Sequence, residues 1–165
     1  MSKPALPDAE KLLAELTAKM RPHVTVQTGL IGILTGGAWL AERLHHDLKV
    51  EVPFGALDVS FYRDDFQHKG LKHNVEPSEI PFDVEGRDLI LIDDVLNTGR
   101  TIRAAMNELF DYGRPASIRL AALIDRGGRE LPITAQFVGA SVELPAQHSI
   151  ELKRDAAGRL SLALY

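Results

Sequence analysis

Apolar residues along the chain recur with two periods, and the way the periods alternate predicts an α/β architecture. Leu12, Leu13, Leu16 and Met20 follow helical spacing behind Asp8, whose carboxylate suits an N-cap, and Pro22 closes the segment. Leu30, Ile31, Ile33 and Leu34 form a short apolar run around Gly32 that reads as a central strand. Thr35, Gly36 and Gly37 make a tight loop, after which residues 38–48 return to helical spacing with Leu40 and Leu44 one turn apart. Over residues 55–62, Leu57, Val59 and Phe61 alternate with Asp58, Ser60 and Tyr62, as in a half-buried strand. Residues 63–74 are polar and aperiodic, and this character continues through Pro77 to Pro81. Uncommitted stretches of that length are typically lids or passive loops.

The second half repeats the plan with a stronger signal. Leu89, Ile90, Leu91 and Ile92 read as a strand buried on both faces, ending at Asp93 and Asp94. Ile102, Met106, Leu109 and Phe110 then give a helix over residues 102–110 one apolar face, and Gly113 is placed to end it. Residues 118–124 form another apolar strand that also ends in charge, at Asp125. Ile150 and Leu152 alternate with Glu151 and Lys153, residues 155–158 make a turn, and Leu160, Leu162 and Leu164 alternate again, which predicts an amphipathic hairpin. Strands alternating with helices make a right-handed, mostly parallel sheet flanked by helices the simplest topology, with the hairpin extending the sheet or forming part of a small hood. His45 and His46 point about 100 degrees apart on a helix, a poor metal pair, and read as surface residues.

Length and composition narrow the class. The 165 residues suit one domain spanning 1–165, large enough to bury about 70% of the unfolded chain's surface. The absence of cysteine excludes disulfides and thiolate metal sites and suits a reducing cytoplasm. Neither a signal peptide nor a membrane span is expected. A net charge of -4 argues against a surface built throughout for nucleic acid, and the 19 Lys and Arg residues are spread without a long basic run.

Candidate chemistry concentrates between the buried strand and the helix behind it. Thr98, Gly99, Arg100 and Thr101 stand where unpaired backbone N–H groups and the positive end of the helix dipole favour an anion, and a phosphate monoester fits there. Asp93 and Asp94 repel phosphate but suit hydroxyl groups or a magnesium shell. A ribose 5-phosphate offers the phosphate and the diol together. Paired Asp residues after an apolar strand also occur in Walker B segments, in phosphoacceptor sites and as plain strand ends; the chain has no G-x-x-x-x-G-K-[ST] to accompany a Walker B.

The full run Asp93-Asp94-Val95-Leu96-Asn97-Thr98-Gly99-Arg100-Thr101, with residues 103–105 and 111–115 behind it, resembles the signature of type I phosphoribosyltransferases that binds phosphoribosyl pyrophosphate (PRPP). In detail it resembles the PyrR family of pyrimidine-operon regulators and uracil phosphoribosyltransferases. The resemblance covers residues 28–145. It implies the type I phosphoribosyltransferase fold, with a hood, and transfer of phosphoribosyl from PRPP to uracil to give UMP and pyrophosphate, with Mg2+ carried by PRPP near Asp93 and Asp94. Thr98 to Thr101 would hold the 5-phosphate, and Thr35, Gly36 and Gly37 with Arg63 would receive pyrophosphate, Arg63, Lys69 or Lys72 lying in a lid. Asp125 and Arg126 would border the base. A homodimer or higher homo-oligomer, UMP as effector and a pyr mRNA leader as partner are also implied. Asn97 stands where purine-salvage relatives carry an Asp general base. An amide cannot take a proton at neutral pH, which points away from purine and xanthine substrates. Leu34 stands where many members have Arg, so one pyrophosphate contact is lost and slow turnover is expected.

Overall fold

The computed structural model describes residues 4–60 and 78–165. Helix α1 (Ala9–Met20) is followed by strand β1 (Thr28–Ile33), helix α2 (Gly36–Leu48) and strand β2 (Gly55–Leu57). Strand β3 (Asp88–Leu96), helix α3 (Arg100–Leu109), strands β4 (Ser117–Asp125) and β5 (Phe137–Ser141), and the pair β6 (Ile150–Arg154) and β7 (Leu160–Leu164) complete the described elements. The first five strands form one parallel sheet in the order β2-β1-β3-β4-β5. The chain steps outward from β1 to β2 and then returns to the other side of β1, so the strand order reverses between β1 and β3. A ligand crevice is expected beyond the carboxyl ends of the strands at that switch point.

Two apolar layers hold the sheet. Leu30, Ile90 and Ile92 pack with Leu12, Leu16 and Met20 of α1 and Leu40 and Leu44 of α2 on one face. Ile31, Leu89 and Leu91 pack with Ile102, Ala105 and Leu109 of α3 and with Val84 on the other. Every residue of β1 is buried, which is why its sequence is a continuous apolar run and not an alternating one. Asp8 caps α1 as its position suggests, Oδ1 accepting the backbone N–H groups of Glu10 (2.8 Å) and Lys11 (3.2 Å).

The structure amends several expectations. β2 stops at Leu57 because the next backbone groups pair with side chains, Asp58 N donating to Ser78 Oγ (3.0 Å) and Ser60 N to Asp58 Oδ1 (2.9 Å). Phe61 and Tyr62 lie outside the described residues. Phe110 does not join the buried stripe of α3; the helix ends at Leu109, the stripe runs Ile102, Ala105, Leu109, and Phe110 is 58% exposed. His45 is no simple surface residue, since its Nε2 lies 3.0 Å from the Val52 carbonyl and its ring against Phe54. The C-terminal hairpin is a separate antiparallel pair and does not extend the main sheet.

One carboxylate ties three elements together. Glu10 of α1 accepts both terminal nitrogens of Arg43 on α2 (3.1 and 2.7 Å) and the backbone N–H of Leu160 on β7 (2.8 Å). The Arg43 hydrogen bonds outweigh the opposing effect of burial and, with the Leu160 amide, hold the Glu10 carboxyl below its ordinary range. A carboxyl lowered on folding adds stability above its unfolded pKa, about 4.3, and loses it as pH falls through the folded value. Glu10→Gln is expected to cost about 1 kcal/mol at neutral pH, because Arg43 still reaches solvent, and so to lower the melting midpoint by roughly 2–4 °C. Paired thermal melts should show the difference closing as the pH drops below about 4; an undiminished gap in acid would rule this role out.

Candidate active site

The carboxyl ends of β1 and β3 are neighbours, with Ile31 opposite Leu91 and Gly32 opposite Ile92, and each strand passes directly into a helix. Glycine sets how closely they approach. A Cβ on Gly36 would run into the Asp94 carboxylate, one on Gly37 into the Ile92 carbonyl oxygen, and one on Gly32 into the carbonyl oxygen of Gly37. The first turn of α2 therefore rests on the backbone of β3, with the Asp94 side chain against it. The Thr35 carbonyl accepts from Ala38 N (3.1 Å) and Trp39 N (3.3 Å), and a cleft of about 620 Å³ opens beside Leu34 and Thr35 toward Trp39 and Phe54.

Asp93 and Asp94 retain only 3% and 9% of their exposure. Carboxylates so far removed from water need donors. Asp93 Oδ1 accepts Asp94 N–H (2.9 Å) and Asp94 Oδ1 accepts Val95 N–H (2.8 Å). Both residues lie within β3, which continues to Leu96 instead of ending at Ile92, because the ladder with β4 extends through Val95 opposite Ile124 and Leu96 opposite Asp125.

Beyond Leu96 the chain turns through Asn97, Thr98 and Gly99 into α3. Gly99 has φ +94°, a left-handed conformation that side chains resist. Thr98 Oγ1 accepts Arg100 N–H (3.1 Å), and Thr98 and Thr101 are each 9% exposed. No acidic residue stands in the first turn of α3. A helix start of backbone donors and hydroxyls, next to buried carboxylates, can accept a phosphate at one end and hydroxyl groups at the other.

The segment after β4 buttresses this turn. Arg126 N donates to the Leu96 carbonyl (3.0 Å), and Glu130 N and Leu131 N donate to the Thr98 carbonyl (2.9 and 3.2 Å). Arg129 donates to Asn97 O (2.7 Å), Ile133 O (2.8 Å) and Asp125 Oδ2 (2.7 Å). Burial would raise the Asp125 carboxyl, but the Arg129 guanidinium and the Gly127 N–H more than offset it and hold Asp125 below the usual carboxylate range. Arg100 pairs with Glu130 at 3.1 Å, both about half exposed.

Of the residues singled out in the sequence, Thr35, Gly36, Gly37 and the run from Asp93 to Thr101 come together at the switch point. Asp125 and Arg126 border it, but the Asp125 carboxylate is engaged by Arg129 and Gly127, and Arg126 reaches to the Pro145 carbonyl at 3.4 Å. Arg63, Lys69 and Lys72, on which the expected lid falls, lie outside the described residues. Arg129, Glu130 and Gly128 carry more of the local structure than their sequence context suggested. The available signal was Asp125 and Arg129 facing each other across two glycines. Among the described residues no group of three or more His, Asp or Glu side chains could hold a metal ion, and no helix is long and apolar enough to cross a membrane.

This fold and this junction define a phosphoribosyltransferase domain, and residues 5–150 match the family model described as the phosphoribosyl transferase domain. Hypoxanthine phosphoribosyltransferase from Staphylococcus aureus shares the fold, with a TM-score of 0.65 at 21% identity, covering 90% of this chain and 81% of that one. The bifunctional protein PyrR of Pseudomonas fluorescens is 48% identical over 162 residues, 96% of each chain, and that of Pseudomonas entomophila is 49% identical over 152 residues, 90% of this chain and 88% of its own. The chain belongs to the PyrR family.

The contact between α2 and β3 leaves no room for a methyl group. Gly37→Ala is expected to cost about 1–3 kcal/mol through overpacking against the Ile92 carbonyl. The melting midpoint should fall by roughly 2–12 °C, whereas Gly86→Ala, with nothing within 4 Å of its would-be Cβ, pays only for its φ of +72°. Equal losses in the two variants, measured by calorimetry, would contradict the packing argument.

Proposed function

We propose that this protein transfers the phosphoribosyl group of PRPP to uracil, giving UMP and pyrophosphate. The observation that carries the reading is the junction of the buried Asp93 and Asp94 with the start of α3 at the switch point, which sets acceptors suited to ribose hydroxyls next to donors suited to a 5-phosphate. PyrR-family membership supports it.

In this proposal Thr98, Gly99, Arg100 and Thr101 anchor the 5-phosphate, and Asp93 and Asp94 accept the ribose hydroxyls and face the positive charge that develops at the anomeric carbon. The bond from that carbon to pyrophosphate oxygen breaks, its electron pair leaving with the oxygen, and a ring nitrogen of uracil forms the new bond as its N–H proton passes to the departing pyrophosphate. Catalysis comes from positioning, charge stabilisation and exclusion of water, with no covalent intermediate on the protein. Thr35, Gly36, Gly37 and Arg63 receive the pyrophosphate. Asn97 offers no general base, which weighs against a purine acceptor.

Magnesium suits a donor set of two adjacent carboxylates, since that ion keeps several waters and binds mainly through substrate phosphates. Held near Asp93 and Asp94, it would neutralise charge on the departing pyrophosphate. The relatives' name records two functions. On this reading the second is control of pyrimidine gene expression by a homo-oligomer in the cytoplasm, with UMP or PRPP sensed in the same site and a pyr leader RNA as partner.

The test is pyrophosphate release from PRPP, with and without magnesium, with uracil, hypoxanthine, guanine and xanthine as acceptors. Uracil is the expected substrate. Asp94→Asn keeps the shape and removes the charge, and kcat/KM should fall by about 100-fold or more. Preference for any of the purines would overturn the acceptor assignment.

A further inference from the structure

We propose that Arg129 is a positioning residue for the 5-phosphate of the sugar donor, acting through the backbone of the Asn97–Gly99 turn without touching the ligand; the inference rests on the phosphoribosyl-transfer reading. Three successive carbonyls of that turn are held from the side of the segment after β4. Leu96 O accepts from Arg126 N, Asn97 O from the Arg129 guanidinium, and Thr98 O from Glu130 N and Leu131 N. A trans peptide is planar, with its N–H opposed to its C=O. Holding these oxygens therefore turns the N–H groups of Asn97, Thr98 and Gly99 away from the segment after β4, on the path that leads into the start of α3.

Among the described residues, backbone donors hold the Leu96 and Thr98 carbonyls, whereas that of Asn97 is held by a side chain. The guanidinium that holds it is itself fixed, Nε on the Ile133 carbonyl and the second terminal nitrogen on the Asp125 carboxylate. Its side chain is 25% exposed and that of Asp125 19%, so water competes weakly. Arg129 is thus a rigid planar bridge from the end of β4 to the middle of the phosphate turn. A lysine carries the charge but lacks the fork that reaches three acceptors in one plane. The neighbouring backbone is also shaped for close approach: Gly127 and Gly128 have φ +73° and +76°, and a Cβ on Gly128 would sit 2.8 Å from Asn97 Oδ1.

The experiment compares wild type, Arg129→Met and Arg129→Lys for PRPP binding by calorimetry and for KM and kcat in the uracil assay. A lost charge-assisted bond predicts a rise of about 10-fold or more in the Kd and KM for PRPP. The KM for uracil, and kcat at saturating PRPP, should stay within about threefold of wild type, since the ligand itself never meets Arg129. Guanidinium ion at low millimolar concentration should restore PRPP affinity to Arg129→Ala. Glu10→Gln, a brace remote from the turn, serves as the stability control and should leave the KM for PRPP unchanged. PRPP affinity within twofold of wild type in folded Arg129→Met, or an equal rise in both KM values, would overturn the inference. Should the Met variant not fold, Arg129→Lys carries the same expectation. Failure of the wild-type protein to bind PRPP would instead overturn the phosphoribosyl-transfer reading itself.

Discussion

Backbone lying on backbone, at the contact between the first turn of α2 and strand β3, is the constraint from which the rest of the site follows. Gly32, Gly36 and Gly37 each stand where a single methyl group would strike a carbonyl oxygen, a backbone carbon or the Asp94 carboxylate. Without that proximity, the two loops at the switch point would stand apart, and a ligand spanning them would meet one or the other. The same glycines carry an entropic cost, since each has more freedom to lose on folding than any other residue. The apolar runs of β1, buried along its whole length, and of β3, buried from Leu89 to Ile92, offset it.

The site divides its chemistry between kinds of atom. At the acidic end the exposed chemistry is that of side-chain oxygens, each carboxylate accepting the backbone N–H one residue further on. At the other end the groups on offer are backbone N–H donors, on peptides whose carbonyls are held from the segment after β4. Among the described residues two cations near that end are engaged by carboxylates, Arg129 by Asp125 and Arg100 by Glu130, and the two pairs differ. The first is mostly buried and fixed, whereas the second is about half exposed and exchanges its partner at little cost.

Periodicity made the frame legible. Leu89 to Ile92 and Leu30 to Ile33 lie in central strands of the sheet, as such apolar runs suggest, and the order of elements led to the parallel arrangement; Leu34 already belongs to the turn. β5 escaped because its five residues include Gly139 and Ala140 and expose one edge of the sheet, leaving little pattern to read. The length of β2 was overestimated because alternation persists through Tyr62, while Asp58 and Ser78 divert the backbone from the ladder. The turn from Asn97 to Gly99 stood out, since glycine, hydroxyls and a following helix are contiguous. Arg129 did not, because its three acceptors come from the end of β4, from residue 133 and from residue 97, and no local pattern announces a bridge between segments that meet only in the folded molecule.

Glu10 shows the same dependence on distance along the chain, with a consequence for synthesis. Its pairing with Arg43 spans 33 residues, and its bond to the Leu160 amide spans 150. On the ribosome the first becomes available early, when α1 and α2 have emerged, while the second waits until nearly the whole sheet has been translated. For most of that interval Glu10 is held by Arg43 alone, and the apolar side of α1 that β7 later covers faces the solvent or a chaperone. The N-terminal helix of the nascent protein thus stays incompletely docked until its hairpin arrives.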